Sequence, residues 1–155
     1  MRRRKAPKRE VKVDSKYNFS VLGHFINIIM KGGKKTTAQK IVYDALDIVE
    51  KELKNDPIKI FFSALENARP RLAVKPRRMG GATYQVPMEV TKDRGNSLAL
   101  RWMRDSARKK KGKPMKIKLA AEIISAYKKE GVVIKKREDT HKMAEANRAF
   151  AHFKW

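Results

Sequence analysis

The stretch Arg71–Val90, RLAVKPRRMGGATYQVPMEV, changes the period of the chain from that of a helix to two. Leu72, Val74 and Pro76 alternate before Gly80-Gly81, and Tyr84, Val86, Met88 and Val90 alternate after it, which predicts a β-hairpin. A two-residue Gly80-Gly81 turn would set Val74 opposite Pro87 and separate the apolar residues onto opposite faces. A three-residue loop, Gly80 to Ala82, instead sets Leu72, Val74 and Pro76 against Val90, Met88 and Val86. It leaves Lys75 and Arg77 sharing the other face with Gln85 and Glu89, so this is the expected register. Pro76 and Pro87 each remove a ladder donor, so the ribbon should stay two-stranded. A lone hairpin is marginal in water, so its base should pack on the rest of the protein and its Arg77–Gly81 end should project.

On either side of this ribbon the apolar period is helical. Val21, Leu22, Phe25, Ile26 and Ile29 predict a first helix ending at Gly32-Gly33. Ile41, Val42, Ala45, Leu46, Val49 and Leu53 form the stripe of a second, with Thr36 or Thr37 as its cap. Asp56-Pro57 supplies an N-cap and a first-turn proline for a third, carrying Phe61, Phe62, Leu65 and Ala68. After the hairpin, Leu98, Trp102 and Met103 mark a fourth, with Trp102 expected in the core and Arg108 to Pro114 as a charged loop. Ile117, Ala120, Ile123, Ile124 and Tyr127 define a fifth that stops at Gly131. Asp139 or Thr140 would cap a sixth through Met143, Ala146, Asn147 and Phe150. The fold class is therefore all-α, a six-helix single domain over residues 15–155 with an inserted two-stranded hairpin arm at about 71–90. A basic N-terminal arm, residues 1–14, precedes it, and it has no apolar face of its own.

The formal net charge is +23 over 155 residues, with a pI near 10.5, and such self-repulsion calls for a nearby polyanion. No apolar run approaches the ~20 residues that span a membrane, so nucleic acid is the expected partner rather than lipid. Hydrophobic residues make up 41%, too many for a basic tail alone, so the charge coats a folded body. Without cysteine there is no disulfide, thiolate zinc site or cysteine nucleophile.

Catalytic motifs are lacking. Gly33-Lys34-Lys35-Thr36 resembles part of a phosphate loop, but that motif needs glycine where Ile28 stands and should follow a strand. His24, His141 and His152 lack zinc-pair spacing, and Glu50, Glu52 and Glu138-Asp139 lie among cations that they would pair with. No enzyme activity, cofactor or metal is expected. Among the basic residues, scattered Lys51, Lys54 and Lys128 read as a solvated face. The dense groups Arg2-Arg3-Arg4-Lys5 with Lys8-Arg9, Lys31-Lys34-Lys35, Lys75-Arg77-Arg78 and Arg108-Lys109-Lys110-Lys111-Lys113 read as phosphate contacts. Arg101 and Arg104 could add to them, while Tyr84 and Trp155 are open to either stacking or packing. Composition leaves DNA and RNA undivided, and a histone-like architectural protein with an arginine-bearing hairpin is the competing reading.

Five segments carry a resemblance that decides between them. FINIIM at Phe25–Met30 followed by Gly33-Lys34-Lys35, ENARP at Glu66–Pro70, RRMGGATYQVP at Arg77–Pro87, LALRW at Leu98–Trp102 and MAEANRAFAH at Met143–His152 resemble the family of the seventh protein of the small ribosomal subunit, bacterial type. The resemblance spans about residues 15–155, and Met79, where valine is usual, departs from it. It implies a six-helix fold with a β-ribbon and a place in the small (30S) subunit in the cytoplasm. The implied role is binding the 3′ major domain of 16S ribosomal RNA, nucleating head assembly and contributing to the exit-site environment of tRNA and messenger RNA. Small-subunit proteins nine and eleven are the implied neighbours. It adds Arg94 and Arg101 to the ribosomal RNA contacts. It also implies that Arg78, Met79, Gly80, Gly81, Tyr84 and Arg148 lie near tRNA and messenger RNA.

Overall fold

The computed structural model describes residues 12–153. The elements run α1 (Ser20–Ile29), α2 (Lys35–Leu53), α3 (Pro57–Ala68), β1 (Leu72–Met79), β2 (Ala82–Glu89), α4 (Lys92–Lys109), α5 (Met115–Tyr127) and α6 (Val132–Ala146), then a 3-10 turn at Arg148–Phe153. Six helices and one antiparallel ribbon agree with the expected class. The chain divides into two compact units, Met1–Lys40 and Ile41–Trp155.

In the first unit the buried face of α1 is Leu22, Phe25, Ile26 and Ile29, the stripe expected from its spacing. Ahead of it, Asp14 is buried and accepts from the backbone N–H groups of Lys16 (3.2 Å) and Tyr17 (2.9 Å), an Asx turn that folds the chain into α1. Helix α2 begins at Lys35, so Thr36 and Thr37 lie in its first turn and neither is the cap. The Lys34 and Lys35 N–H groups close the preceding turn on Lys31 O and Gly33 O, which starts the helix a residue early.

The core of the second unit is built around α5, which packs against α3, α4 and α6. Asp56 caps α3 through Ile58 N (2.9 Å), with Pro57 at the first helical position as the sequence implies. Gly95, in the first turn of α4, lies against the junction leaving α3. A Cβ there would stand 2.8 Å from Arg69 Cγ and 3.2 Å from Pro70 O, so only glycine permits this approach. Trp102 is half-buried on α4, with the Lys136 ammonium 5.5 Å from its ring, rather than part of the core. Arg108 and Lys109 form the last turn of α4, where their charge suits the helix dipole, so the loop is confined to residues 110–114.

Helix α6 begins at Val132, well upstream of the expected cap at Asp139 or Thr140. Burial of Val133 and Ile134 accounts for this, because hiding each gains about 1.5–3 kcal/mol while β-branching costs only ~0.5 kcal/mol of helix propensity. Thr140 sits inside the helix and donates its hydroxyl to Lys136 O (2.7 Å).

The hairpin register also differs from expectation. Leu72 pairs with Glu89, Val74 with Pro87, Lys75 with Val86 and Arg77 with Tyr84, which leaves Gly80-Gly81 as a two-residue turn. Both glycines have positive φ, 55° and 88°, as a type I′ turn requires, and this turn matches the right-handed strand twist. Backbone preference at the tip outweighs apolar matching because most of the ribbon is only partly covered. Val86 is its one fully buried apolar side chain among the described residues. The ribbon stays two-stranded, and its base packs on α6 and the 3-10 turn.

Among the described residues Glu122 is the buried charge of this unit. On the apolar face of α5 it is 2% exposed and pairs with Lys110 at 2.5 Å, fastening the α4–α5 loop to the core. Lys110→Met should destabilise the protein by about 1–3 kcal/mol in urea titrations at neutral pH, because it strands a buried carboxylate. The double change Lys110→Met/Glu122→Leu should recover most of that loss.

Candidate nucleic-acid interface

Arg2, Arg3, Arg4, Lys5, Lys8 and Arg9, with Trp155, lie outside the described residues. In the first unit, Lys31, Lys34 and Lys35 are all exposed on the α1–α2 turn, and α2 has no acidic residue in its first turn. Cations at the positive end of a helix dipole cost about 0.3–1 kcal/mol each, so this end is poised to take an anion rather than to stabilise the helix.

In the second unit the cations fall on two surfaces. Arg94, Arg101 and Arg108 are exposed and recur every seven residues on α4, two helical turns apart, so they form one stripe along the helix. Lys109, Lys111 and Lys113 are exposed where α4 runs into the following loop. Two expected contacts from this region are engaged within the protein instead. Arg104 binds Asp105 at 2.7 Å, and Lys110 is held by Glu122.

On the hairpin the observed pairing puts Lys75 and Arg77 on the same face as Val86 and Tyr84, not with Gln85 and Glu89. Arg78 lies on the opposite face, across from Thr83. Lys75 and Arg78 are exposed, Arg77 is half-buried, and the Gly80-Gly81 backbone forms the tip between Met79 and Ala82. Tyr84 is half-buried and packs on Phe150 with ring centroids 5.1 Å apart, so packing on the fold uses part of its ring. Arg148 is exposed at the start of the 3-10 turn, and lines a groove with Leu72, Pro87 and Met88 at the base of the ribbon.

A polar junction that charge density did not reveal lies where α3 meets the hairpin. The Asn67 amide donates to Ala126 O and Tyr127 O, both at 3.1 Å, and Arg137 Nη1 donates to Asn67 O at 2.5 Å. Arg69 pairs with Glu66 at 2.5 Å. The Arg71 N–H donates to His141 Nε2 at 3.0 Å, so that nitrogen is unprotonated. The available signal was the ENARP motif itself, which sets a polar Asn67 in the last turn of α3 beside Arg69.

Among the described residues no cluster of histidine and acidic side chains could hold a metal, and no helix is long and apolar enough to cross a membrane. Exposed cations thus lie on a turn of the first unit and on a helix stripe and a ribbon of the second, which is the charge pattern of the nucleic-acid-binding class. The sequence matches the family profile of ribosomal protein S7p/S5e over residues 1–148. It is 58% identical to the small ribosomal subunit protein uS7 of Thermotoga petrophila and 57% identical to that of Thermotoga maritima, each over all of both chains. The uS7 of Acidithiobacillus ferrooxidans is 54% identical over 99% of each. The chain belongs to the ribosomal protein S7p/S5e family, and is a structural ribosomal protein rather than an enzyme.

The His141 imidazole is held below its ordinary value of 6.5 by burial first, then by Arg137 and Arg71, against a smaller opposing effect of Glu138. With the folded value depressed, the unfolded chain binds the proton more readily, so stability is full above pH 6.5 and falls as pH drops towards the folded value. Urea midpoints should therefore decline on acidification through that window. His141→Gln, which keeps an acceptor and removes the titration, should flatten part of the decline.

Proposed function

We propose that this chain is a constituent of the small (30S) ribosomal subunit that binds the 3′ major domain of 16S ribosomal RNA and nucleates assembly of the head. The observation that carries the reading is its full-length relation to proteins named for the small subunit, at up to 58% identity. The distribution of charge supports it. Lys31, Lys34 and Lys35 at the α2 start and the Arg94–Arg101–Arg108 stripe on α4 are all exposed cations. Lys109, Lys111 and Lys113 extend the stripe.

Residues 1–14 act as a cationic arm whose last residue, Asp14, is buried where the arm joins the RNA-binding residues 15–155. A-form RNA has a deep major groove that side chains cannot read, so these contacts recognise backbone shape at a multi-helix junction. The hairpin serves the exit-site tRNA and messenger RNA, with Arg78 and the Gly80-Gly81 backbone approaching from its tip and Arg148 from its base. Tyr84 supports this arm by packing on Phe150. Proteins nine and eleven of the same subunit are the protein neighbours, and the site of action is the cytoplasmic ribosome.

The test is binding to a 3′ major domain RNA fragment against duplex DNA of equal length across a salt series. Selective RNA binding that persists at moderate salt is expected. Equal affinity for both with a steep salt slope would sink the reading and leave a histone-like architectural protein. Lys31→Gln/Lys34→Gln/Lys35→Gln should make the plot of log affinity against log salt shallower by about 0.7–0.9 for each phosphate no longer neutralised. Its thermal stability should be unchanged or slightly raised, since the substitution relieves the helix end.

A further inference from the structure

Arg69, Arg71, Lys129, Arg137 and His141 line one pocket of about 440 Å³ together with Glu66. All belong to the second unit, and none is among the cations assigned to ribosomal RNA above. Four permanent cations face one lining carboxylate, and Arg69 already occupies it at 2.5 Å. Glu138 gives Arg137 only a 3.4 Å contact at Nη2. The Arg137 Nε is buried and has no hydrogen-bond partner among the described residues, so its desolvation is uncompensated. His141 adds no acid here, because its Nε2 is committed to the Arg71 N–H. Guanidinium and ammonium groups lining one pocket, with charge in excess of its single carboxylate, form a site for an oxyanion.

We propose that this pocket binds a phosphate group of the RNA backbone, held by the Arg71 and Arg137 guanidinium groups and the Lys129 ammonium. The proposal rests on the RNA-binding reading above and adds to it a second contact surface, at the foot of the hairpin. Backbone is favoured over base because no Phe, Tyr or Trp side chain lines the pocket, and the one ring that does, His141, is held by the Arg71 N–H. The volume exceeds that of one phosphate and leaves room for the adjoining sugar. Arg71 directly precedes β1, so a phosphate seated here also anchors the point from which the arm projects.

His141 reports occupancy. Its surroundings comprise Arg137 and Glu138 from α6, Arg71 before β1, Arg69 and Glu66 at the end of α3, and Lys129 after α5. An anion among them favours the imidazolium. In the full chain, titration with inorganic phosphate followed by NMR of the His141 ring should raise its pKa saturably, relative to chloride at equal ionic strength. Arg71→Gln/Lys129→Gln leaves the Arg71 N–H bond in place and should weaken the phosphate response at least tenfold. The same double variant should flatten the salt dependence of 3′ major domain RNA binding by about 0.7–0.9. Lys51→Gln/Lys59→Gln, removing the same charge from exposed positions on α2 and α3, should change it less. A phosphate response that does not saturate, or that persists in Arg71→Gln/Lys129→Gln, would overturn the pocket. Saturable phosphate binding with an RNA salt slope matching the control would overturn the RNA assignment and point to a free anion or an acidic protein partner. Failure of the RNA-binding reading itself is distinct, since it shows as equal affinity of the unsubstituted protein for duplex DNA.

Discussion

The second unit depends on the orientation of one side-chain amide. Asn67, at the end of α3, donates both of its N–H groups to the last carbonyls of α5, and its own backbone oxygen receives Arg137 from α6. Helix ends leave orphan carbonyls that apolar burial cannot satisfy, and here Asn67 supplies a donor to Tyr127 O and a second one to Ala126 O, which also accepts from the Lys129 N–H. Apolar packing around Phe61, Leu119 and Ile123 brings the helices together but is tolerant of small slides. The Asn67 contacts are directional, so they fix where α3 stops relative to α5 and α6. That stopping point sets Arg69, Pro70 and Arg71, and therefore the angle at which the ribbon leaves the body.

From this junction outward the cations divide by what lies near them. Arg69, Arg104, Lys110, Lys116 and Arg137 each meet a carboxylate, with Lys116 reaching Asp44 at 3.1 Å. Exposed pairs of this kind contribute roughly 0–1 kcal/mol, but the Glu122–Lys110 pair differs because one partner is buried and would be costly alone. Lys31, Lys34, Lys35, Arg94 and Arg101 make no ion pair among the described residues, and are exposed. A fold with so large a positive excess cannot neutralise itself, so the unpaired set measures what an external polyanion must supply.

Much of this was legible in the sequence. The six helices followed from apolar spacing, Asp56-Pro57 marked the start of α3, and the change of period at Arg71 located the ribbon. Errors arose where a local signal competed with burial or backbone geometry. Asp139-Thr140 looks like a helix start, yet Val133 and Ile134 gain more by being buried in an earlier turn than the later cap could contribute. Lys110 stood in a run of like charge and looked free, because its partner Glu122 lies twelve residues away on a face otherwise apolar. The Arg71–His141 contact joins residues seventy positions apart and has no periodic signature at all.

The hairpin register shows how such competition bears on function. Matching apolar side chains across the strands would have put Lys75 and Arg77 together on an outer face. Positive φ at Gly80 and Gly81 selects the two-residue turn instead, and every side chain thereby changes its partner. The consequence is that Tyr84 and Val86 meet the body on the face that carries Lys75 and Arg77. Arg77 and Arg78, being successive on β1, lie on opposite faces of the ribbon in either register. An arm with cations on both faces suits insertion between two phosphate backbones better than docking against one. The turn that sets the strand register therefore decides which cations share a face with Tyr84 and Val86.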